Sequence, residues 1–471
     1  MVGATALSSK YTAYQEYKDS GFEWLGAIPE SWMITELKRY SSVQGGYAFS
    51  SDSFIDAGKA VIRIGDIKQD GSVSLDSCKY INSENPEQYN QYEVRDGDLL
   101  MAMTGATIGK AGWYTEKQPA LLNQRVGSFK CNGKYLNYRF FWFVLNSSGY
   151  QEYIKLTAFG GAQPNISDAG MVGYQSAFPL EDEQQTIANF LDHETAKIDT
   201  LIDKQQQLIT LLKEKRQAVI SHAVTKGLNP NVPMRDSGVE WLGEVPAHWD
   251  LSTLKYHVDT VNGFGFSSSD VCEEGVPFIR AGNIKKKSIT PTDLYLPQLV
   301  VDRYKRVILI EDDIVISMVG SDPKMLESAV GQIGVVPKSM AGAVPNQNVV
   351  ILREKSNLLL KNFLFYSLCG EAYRNHLNTF SHKLANQSII SSSLIVNAKF
   401  ILPNTDEQKE IIDFLDQRLK LMDVVVAKNY KSLHLLTERR TALISAAVTG
   451  KIDVRNWQAT VTSNNHKEVA P

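Results

Sequence analysis

Asp19-Ser-Gly-Phe-Glu-Trp-Leu-Gly-Ala-Ile-Pro-Glu-Ser-Trp32 returns later in the chain as Asp236-Ser-Gly-Val-Glu-Trp-Leu-Gly-Glu-Val-Pro-Ala-His-Trp249. A second signature closes each copy. Phe178-Pro-Leu-Glu-Asp-Glu-Gln184, followed by Ile187, Phe190-Leu-Asp192 and Ile198-Asp199, has a twin in Leu402-Pro-Asn-Thr-Asp-Glu-Gln408, followed by Ile411, Phe414-Leu-Asp416 and Met422-Asp423. Further on, Ala218-Val-Ile-Ser221 and Ala223-Val-Thr225 match Ala442-Leu-Ile-Ser445 and Ala447-Val-Thr449. Matched ends in matched order identify a tandem duplication.

Between the signatures the two copies have diverged. Landmarks persist as Arg63-Ile-Gly-Asp-Ile-Lys68 beside Arg280-Ala-Gly-Asn-Ile-Lys285, and as Asn123-Gln124 beside Asn346-Gln347. The second copy carries an insertion near residues 322–328. Each copy is thus a constant frame around a variable middle. After Glu183, apolar residues recur at Ile187, Leu191, Ile198, Leu201, Leu208, Leu211 and Val219. That spacing predicts a long amphipathic helix with a coiled-coil-like seam, ended by Gly227 and Pro230. The second seam runs through Ile411, Leu415, Met422, Val426, Leu433, Leu436 and Leu443 to Gly450. Short apolar runs at residues 61–64, 99–103, 276–279 and 313–318, separated by Gly, Asn and Asp, predict strands in mixed α/β middles. The expected class is α+β. Its parts are an N-terminal segment over 1–32, a middle domain over 33–178, a helix over 179–230, the second signature over 231–249, a second middle domain over 250–402, a helix over 403–452 and a polar tail over 453–471.

Bulk properties narrow the class further. At about 150 residues per domain, 471 residues hold two to three domains, and 43% hydrophobic content suits a large globular core. No apolar run approaches the ~20 residues that span a bilayer, and residues 1–15 lack the pattern of a secretory signal. Cys78, Cys131, Cys272 and Cys369 stand far apart with no C-x-x-C pair, which points to reduced thiols in the cytoplasm. A net charge of −3 is low for a nucleic-acid binder, so basic residues must cluster locally or partner subunits must supply positive surface.

No catalytic set emerges. An N6-adenine methyltransferase needs an Asn/Asp-Pro-Pro-aromatic tetrad and a glycine-rich cofactor loop, and neither is present. Gly105-Ala-Thr-Ile-Gly-Lys110 is too short for a phosphate loop and is followed by Ala111, so it reads as a turn. Asp66-Ile-Lys68 fits the bare D-x-K step of restriction nucleases, but Asn283-Ile-Lys285 has no carboxylate and no ligand set converges on either. His376 and His382 form no ligand cluster. The chain is expected to be non-catalytic and to bind no metal or cofactor of its own.

Each middle opens with a loop rich in glycine, aromatics and serine, Gly45-Gly-Tyr-Ala-Phe-Ser-Ser51 and Gly263-Phe-Gly-Phe-Ser-Ser268. Glycine lets backbone N–H groups approach phosphate, and serine adds neutral donors, which makes Tyr47, Ser50, Ser51, Phe264, Ser267 and Ser268 candidates for contact with nucleic acid. An ordinary turn with Phe49 and Phe266 plugging the core is the competing reading. Lys285, Lys286 and Lys287 form a candidate phosphate patch, against the alternative of a solvated face. Asn and Gln bond adenine bidentately and Arg bonds guanine. Asn123, Gln124, Arg125, Asn346, Gln347 and Asn348 are therefore candidate groove residues, as are Gln163 and Asn165 before the first helix and Asn386 and Gln387 before the second. Buried turn amides compete with that reading. Arg63, Lys68, Thr104, Lys110, Arg280 and Lys383 complete the candidate surface. Residues identical in both copies cannot distinguish two different readouts. Arg63 and Arg280 are thus scaffold or phosphate contacts, whereas Tyr47/Phe264, Asp66/Asn283 and Arg125/Asn348 are positioned to discriminate bases.

The repeated D-S-G-x-E-W-L-G-x-(I/V)-P-x-x-W, a variable domain, then P-x-x-(E/D)-E-Q leading into F-L-D and a long helix resembles the DNA specificity subunits of Type I restriction-modification systems. The resemblance covers the chain from about Tyr17 to Val454, with Asn404-Thr405 and Met422 as mild departures. It implies that each middle is a target recognition domain docking in the DNA major groove. It implies that the two long helices pack antiparallel as a coiled-coil spacer with pseudo-two-fold symmetry, and that the target is two half-sites of double-stranded DNA separated by a fixed gap. Two methyltransferase subunits are implied on that frame, and two ATP-dependent restriction subunits in the full complex, with S-adenosylmethionine, ATP and Mg used through those partners. Trp24, Leu25, Trp241 and Leu242 of the repeated signature are expected to be exposed docking surfaces for those partners. The alternative is a coiled-coil scaffold that binds only protein, under which the duplicated middles have no task.

Overall fold

The computed structural model describes residues 11–68, 70–82, 86–161, 163–321, 330–384 and 387–459. The inserted residues 322–328 lie outside them. The chain divides into two compact units, Met1–Gln206 with Tyr430–Pro471, and Gln207–Asn429.

In the first unit the strand Leu99–Ala102 is apolar at every position because both its faces are covered. Leu99 and Met101 enter a core with Trp32, Phe129 and Phe190, while Leu100 and Ala102 enter another with Ile62, Tyr114 and Leu122. Successive side chains of a strand point to opposite faces, so a strand buried on both sides reads as an unbroken apolar run. Its antiparallel sheet runs Ala111–Trp113, Leu99–Ala102, Val126–Cys131, Ser41–Gly45. A second sheet of short strands carries one parallel pair, Lys59–Ile62 with Ala120–Leu122. The domain closes where Met33–Glu36 pairs with Gln175–Phe178, Met33 opposite Phe178.

The second unit repeats this plan. Ile314 and Ile316 face a core with Trp249 and Phe363, and Val315 faces one with Phe278 and Leu296. Val276–Ile279 pairs in parallel with Val344–Pro345 through Phe278 and Val344, and the closing pair sets Asp250 opposite Leu402.

Two long helices, Glu181–Lys226 and Thr405–Val448, are each divided between the units. In the first unit Ile187, Leu191 and Ile198 share a core with Leu443, Ile444 and Ala447, and Arg440 donates to the Asp199 carboxylate at 2.7 Å. Near the head of the first helix, Glu183 accepts from the Trp32 indole at 3.1 Å, and the Trp32 ring lies beside Gly450, past the end of the second helix. The two segments therefore run antiparallel. The second unit holds the same arrangement: Ile220, Ala223 and Val224 pack with Ile411, Leu415 and Met422, and Arg216 pairs with Asp423 at 2.5 Å. Asp199 and Asp423 are the aspartates of the repeated signature, so one ion pair is made twice.

The first seam departs from the expected one. Leu201, Leu208 and Leu211 are exposed, and Ile202 and Ile209 turn inward in their place. From Ile198 the inward positions advance by four and then seven residues, an eleven-residue rhythm closer to the true helical period than a heptad. Among the described residues no helix is long and apolar enough to cross a membrane.

Each signature folds as a short hairpin, Tyr17–Asp19 with Ala27–Pro29 and Met234–Asp236 with Glu244–Pro246. Gly26 and Gly243 end the loop of each hairpin at φ +57° and +60°, a conformation that favours glycine. Lys226 donates to the Glu244 carbonyl at 2.9 Å, and Lys451 donates to the carbonyls of Leu25, at 2.8 Å, and Ala27. The Lys–Gly order is inverted between the two helix ends, yet the ammonium reaches an equivalent hairpin.

The glutamine of each Glu-Gln doublet is buried at a helix head. Gln184 accepts from the Asn137 N–H at 2.9 Å and donates to the carbonyls of Tyr135 and Pro179 at 3.1 and 3.0 Å. Gln408 accepts from Leu360 at 2.8 Å and donates to Leu358 and Pro403 at 2.7 and 2.9 Å. Burying an amide without partners is costly, and here every bond is to backbone. Asn404 then caps the second helix by accepting from the Asp406 and Glu407 N–H groups at 3.0 and 2.9 Å. Gln184→Ala would leave one buried N–H and two carbonyls unpaired, and is expected to cost about 2–3 kcal/mol. Urea unfolding of the full chain checks it, and an unchanged midpoint would show that the amide is not a latch.

Candidate nucleic-acid interface

The strand Ser41–Gly45 leads into the glycine loop, which crosses a second loop at close range. Tyr47 donates from its backbone to the Leu122 carbonyl at 2.8 Å, and Gln124 donates back to Tyr47 at 2.8 Å. A Cβ on Gly46 would stand 2.2 Å from the Asn123 carbonyl oxygen, and one on Gly263 would stand 2.1 Å from that of Asn346. The glycines are required by this crossing of two backbones. Tyr47 packs against Phe49, Tyr89 and Tyr92, and Phe264 lies 4.1 Å from the Tyr304 ring. Phe49 and Phe266 pack against the apolar clusters of their units. Ser50 and Ser267 cap short 3-10 turns by accepting from the Asp52 and Ser269 N–H groups, and Ser51 and Ser268 stand exposed in those turns.

Five of the expected residues converge. Met103 donates to the Arg125 carbonyl at 2.9 Å and accepts from the Ile166 N–H at 3.0 Å, while Thr104 bridges to Asn165. Thr104, Gln124, Arg125, Gln163 and Asn165 consequently line one open polar cleft, in which Arg125 is the one charged group among the described residues. Gln124, Arg125 and Gln163 are exposed, and their side chains have no hydrogen-bond partner among the described residues. The Thr104 hydroxyl is also unpartnered although the residue is only 7% exposed. Thr104 shares this with several other buried side chains among the described residues, and it lines the cleft.

The second unit repeats the bonds with different side chains. Met318 donates to the Asn348 carbonyl at 2.7 Å and accepts from Ile390 at 2.9 Å, so Asn348 occupies the place of Arg125. Val319 pairs with Ile389 where Thr104 pairs with Asn165. Gln347 is exposed. Asn346 is not a groove residue: it is buried, and its side-chain oxygen accepts from the Asn348 N–H at 3.2 Å, making it a turn amide. Asn123, its counterpart, is half-buried and donates from its backbone to Ile62. Lys383 and Gln387 belong to the antiparallel strands His382–Leu384 and Gln387–Ile389, and Asn386 lies outside the described residues.

The remaining candidates serve the scaffold or stand apart. Arg63 donates to the Ser77 carbonyl at 3.1 Å and lies 3.9 Å from Asp66. Asp66 is buried and accepts from the Arg63 N–H at 2.8 Å, as Asn283 accepts from the Arg280 N–H at 2.9 Å. Asp66 and Asn283 thus cap the same turn and do not face a ligand, contrary to the expectation that they discriminate bases. Lys68 and Lys110 donate to the carbonyls of Gly65 and Ile67 at 3.3 and 3.2 Å. Arg280 and Lys285 are exposed. Lys286 and Lys287 form a hairpin tip at φ +50° and +62° and line a different cleft, with Arg216, Asp416, Lys420 and Asp423 of the long helices. Among the described residues no group of His, Cys, Asp and Glu is placed to hold a metal ion.

The signature residues expected as exposed docking surfaces are corrected in part. Leu25 and Leu242 are buried. Trp24 is 42% exposed, but its ring lies on Phe22 and Tyr174 and its indole N–H donates to Gln175 at 3.1 Å. Trp241 is half-buried against His376 and Phe380. The long helices also carry exposed apolar side chains, Leu201 and Leu435 in the first unit, Leu211 and Val425 in the second. The repeat itself signals them, because Leu201 corresponds to Val425 and Leu211 to Leu435 when Glu183 is set on Glu407.

A family model of the Type I restriction modification DNA specificity domain matches residues 29–211 and again 246–429. The chain is 22% identical over 459 residues to the Type I restriction enzyme MjaVIII specificity subunit of Methanocaldococcus jannaschii, spanning 94% of this chain and 98% of that one. It is 25% identical over 458 residues to the Type I restriction enzyme EcoBI specificity subunit of Escherichia coli, spanning 94% and 91%. A solved structure from a study of complex assembly and conformational transition in the type I R-M system shares the fold, with a TM-score of 0.66 at 16% identity over 90% of this chain and 99% of that one.

Gly46→Ala is expected to force the two loops apart and open the first cleft, and Gly263→Ala to do the same in the second unit. Hydrogen exchange reads this directly: the Tyr47 and Gln124 amides should lose protection in the first variant only. Unchanged protection would show that the crossing tolerates a side chain.

Proposed function

The chain belongs to the Type I restriction-modification DNA specificity family, and we propose that it reads a bipartite, asymmetric target and holds the methyltransferase and restriction subunits around it. Specificity subunits are the non-catalytic components of these complexes, and sequence-specific DNA recognition is the family's activity. The observation that carries the finer reading is one frame used twice around unlike side chains. Thr104, Arg125 and Asn165 in the first unit are answered by Val319, Asn348 and Ile389 in the second. Equivalent scaffolds present equivalent positions to a duplex, and unlike side chains at those positions select unlike half-sites.

Charge supports a shared task. With a net charge of −3 and one cation in the first cleft, this chain neutralises few phosphates, so the methyltransferase subunits provide much of the positive surface. S-adenosylmethionine, ATP and Mg enter with those partners. The two sets of exposed apolar residues, Leu201 with Leu435 and Leu211 with Val425, suit two copies of one partner. A scaffold binding only protein would have no use for unlike side chains at equivalent positions of the two units.

Replacing residues 33–177 with the first domain of another family member is expected to change one half-site of the methylated motif and leave the other intact. A motif changed in both halves, or in neither, would overturn the reading.

The helices set the gap between half-sites. They pass between the units at Gln206/Gln207 and Asn429/Tyr430, and an insertion of four residues at each place advances each helix by about 6 Å and turns it by about 400°. The seam stays nearly in phase, so the gap should widen by roughly one or two base pairs at about 3.4 Å each, with both half-sites unchanged. Sequencing the methylated sites reads the gap, and an active variant with the original gap would show that the helices are not the ruler.

A further inference from the structure

We propose that residues 125 and 348 are the same base-reading position in two settings, Arg125 taking guanine and Asn348 taking adenine beside a thymine methyl. The inference rests on the DNA-reading function proposed above and names the residue that separates the two readouts.

Both positions are held by the same backbone bonds, Met103 to Arg125 at 2.9 Å and Met318 to Asn348 at 2.7 Å. Neither side chain has a hydrogen-bond partner among the described residues, and each follows a glutamine, Gln124 or Gln347, that is exposed in both units. The shared glutamine cannot distinguish the half-sites, and the residue after it can. A guanidinium presents two parallel N–H donors that match N7 and O6 of guanine, and a carboxamide donates to N7 and accepts from N6 of adenine.

The surroundings change in the same sense. Beside Arg125 stand Thr104, Gln163 and Asn165, all able to hydrogen-bond, and the Thr104 hydroxyl is buried without a partner. Beside Asn348 the equivalent pair is Val319 and Ile389, the latter 37% exposed. An apolar pair next to a carboxamide complements the C5-methyl of thymine, which a G·C pair lacks. Arg125 as a phosphate clamp is the competing role, and it predicts a different outcome because phosphate contacts carry no sequence.

The test uses the chain assembled with its methyltransferase subunits. Duplexes randomised in both half-sites are selected at low salt by wild type, R125K, R125N and N348R. R125N is expected to lose guanine preference at one position of one half-site, by about 5- to 150-fold, with the other half-site unchanged. R125K should retain part of that preference, and N348R should exchange adenine for guanine in the other half-site. An unchanged motif overturns the inference. So does a uniform loss of binding across all duplexes, partial or complete, since that assigns Arg125 to phosphate. Both outcomes leave the reading of one half-site per unit standing. A motif altered in both half-sites by R125N overturns that underlying reading instead.

Discussion

A buried amide at the head of each long helix ties the frame to the reading domain. Gln184 and Gln408 each make three bonds, all to backbone, and each spans from the helix start to the loop before a short buried helix. The amide is the one side-chain group that offers an acceptor and two donors at that length without a charge. Glutamate would bring a buried negative charge against two carbonyls, and leucine would leave three backbone groups unpaired. The two amides thus tie each domain to the head of its helix, with Arg139–Asp192 and Tyr366–Asp416 bonded about two turns further along. The preceding glutamate does the complementary job toward the signature, with Glu183 bonded to Trp32 and Tyr14, and Glu407 to Trp249 and His248. Burial first, then the bond to Glu183, pushes the Tyr14 phenol far above its usual range, so it remains a donor.

Neither copy of the repeat is a self-contained body. Each unit combines the front of one long helix with the back of the other, and the Asp199–Arg440 and Asp423–Arg216 pairs are the two instances of one contact. Exposed ion pairs contribute little stability, and their value here is in fixing register. The scaffold is held equal in both units by backbone bonds, caps and glycines, which leaves the side chains of the cleft free to differ. Asp66 and Asn283 illustrate the division: they differ in charge but make the same turn, so that difference carries no readout.

Much of this was legible in the sequence, and the exceptions share a cause. Repetition marks the frame, periodicity marks the helices, and a run such as Leu99–Ala102 marks a strand covered on both sides. Composition cannot tell a turn amide from an exposed one. Asn346 and Gln347 are neighbours of similar chemistry, yet one is consumed by the Asn348 N–H and the other is exposed. Leu25 and Leu242 look like docking residues until the hairpin around them is seen to turn them inward. The phase of the first seam at Leu201 and Leu208 depends on a partner helix more than two hundred residues away. In each instance a tertiary neighbour decides, and local pattern holds no record of it.

The way the chain shares its helices also orders events in time. Gln207–Asn429 is one continuous stretch, so every residue of that unit is present once the ribosome passes Asn429. The other unit needs Leu443, Ile444, Ala447 and Val448 to cover the core around Trp32 and Phe190, and Asp453 and Trp457 to meet Thr12 and Phe190. Those residues are made only after the whole of Gln207–Asn429. The N-terminal half therefore waits through synthesis with an apolar flank uncovered, while the part made after it completes first. Closing a loop of this length costs little entropy beyond that of a shorter one, but the wait exposes the flank to aggregation. The duplicated fold thus has two copies alike in structure and unlike in nascent life, and the earlier one stays incomplete for longer.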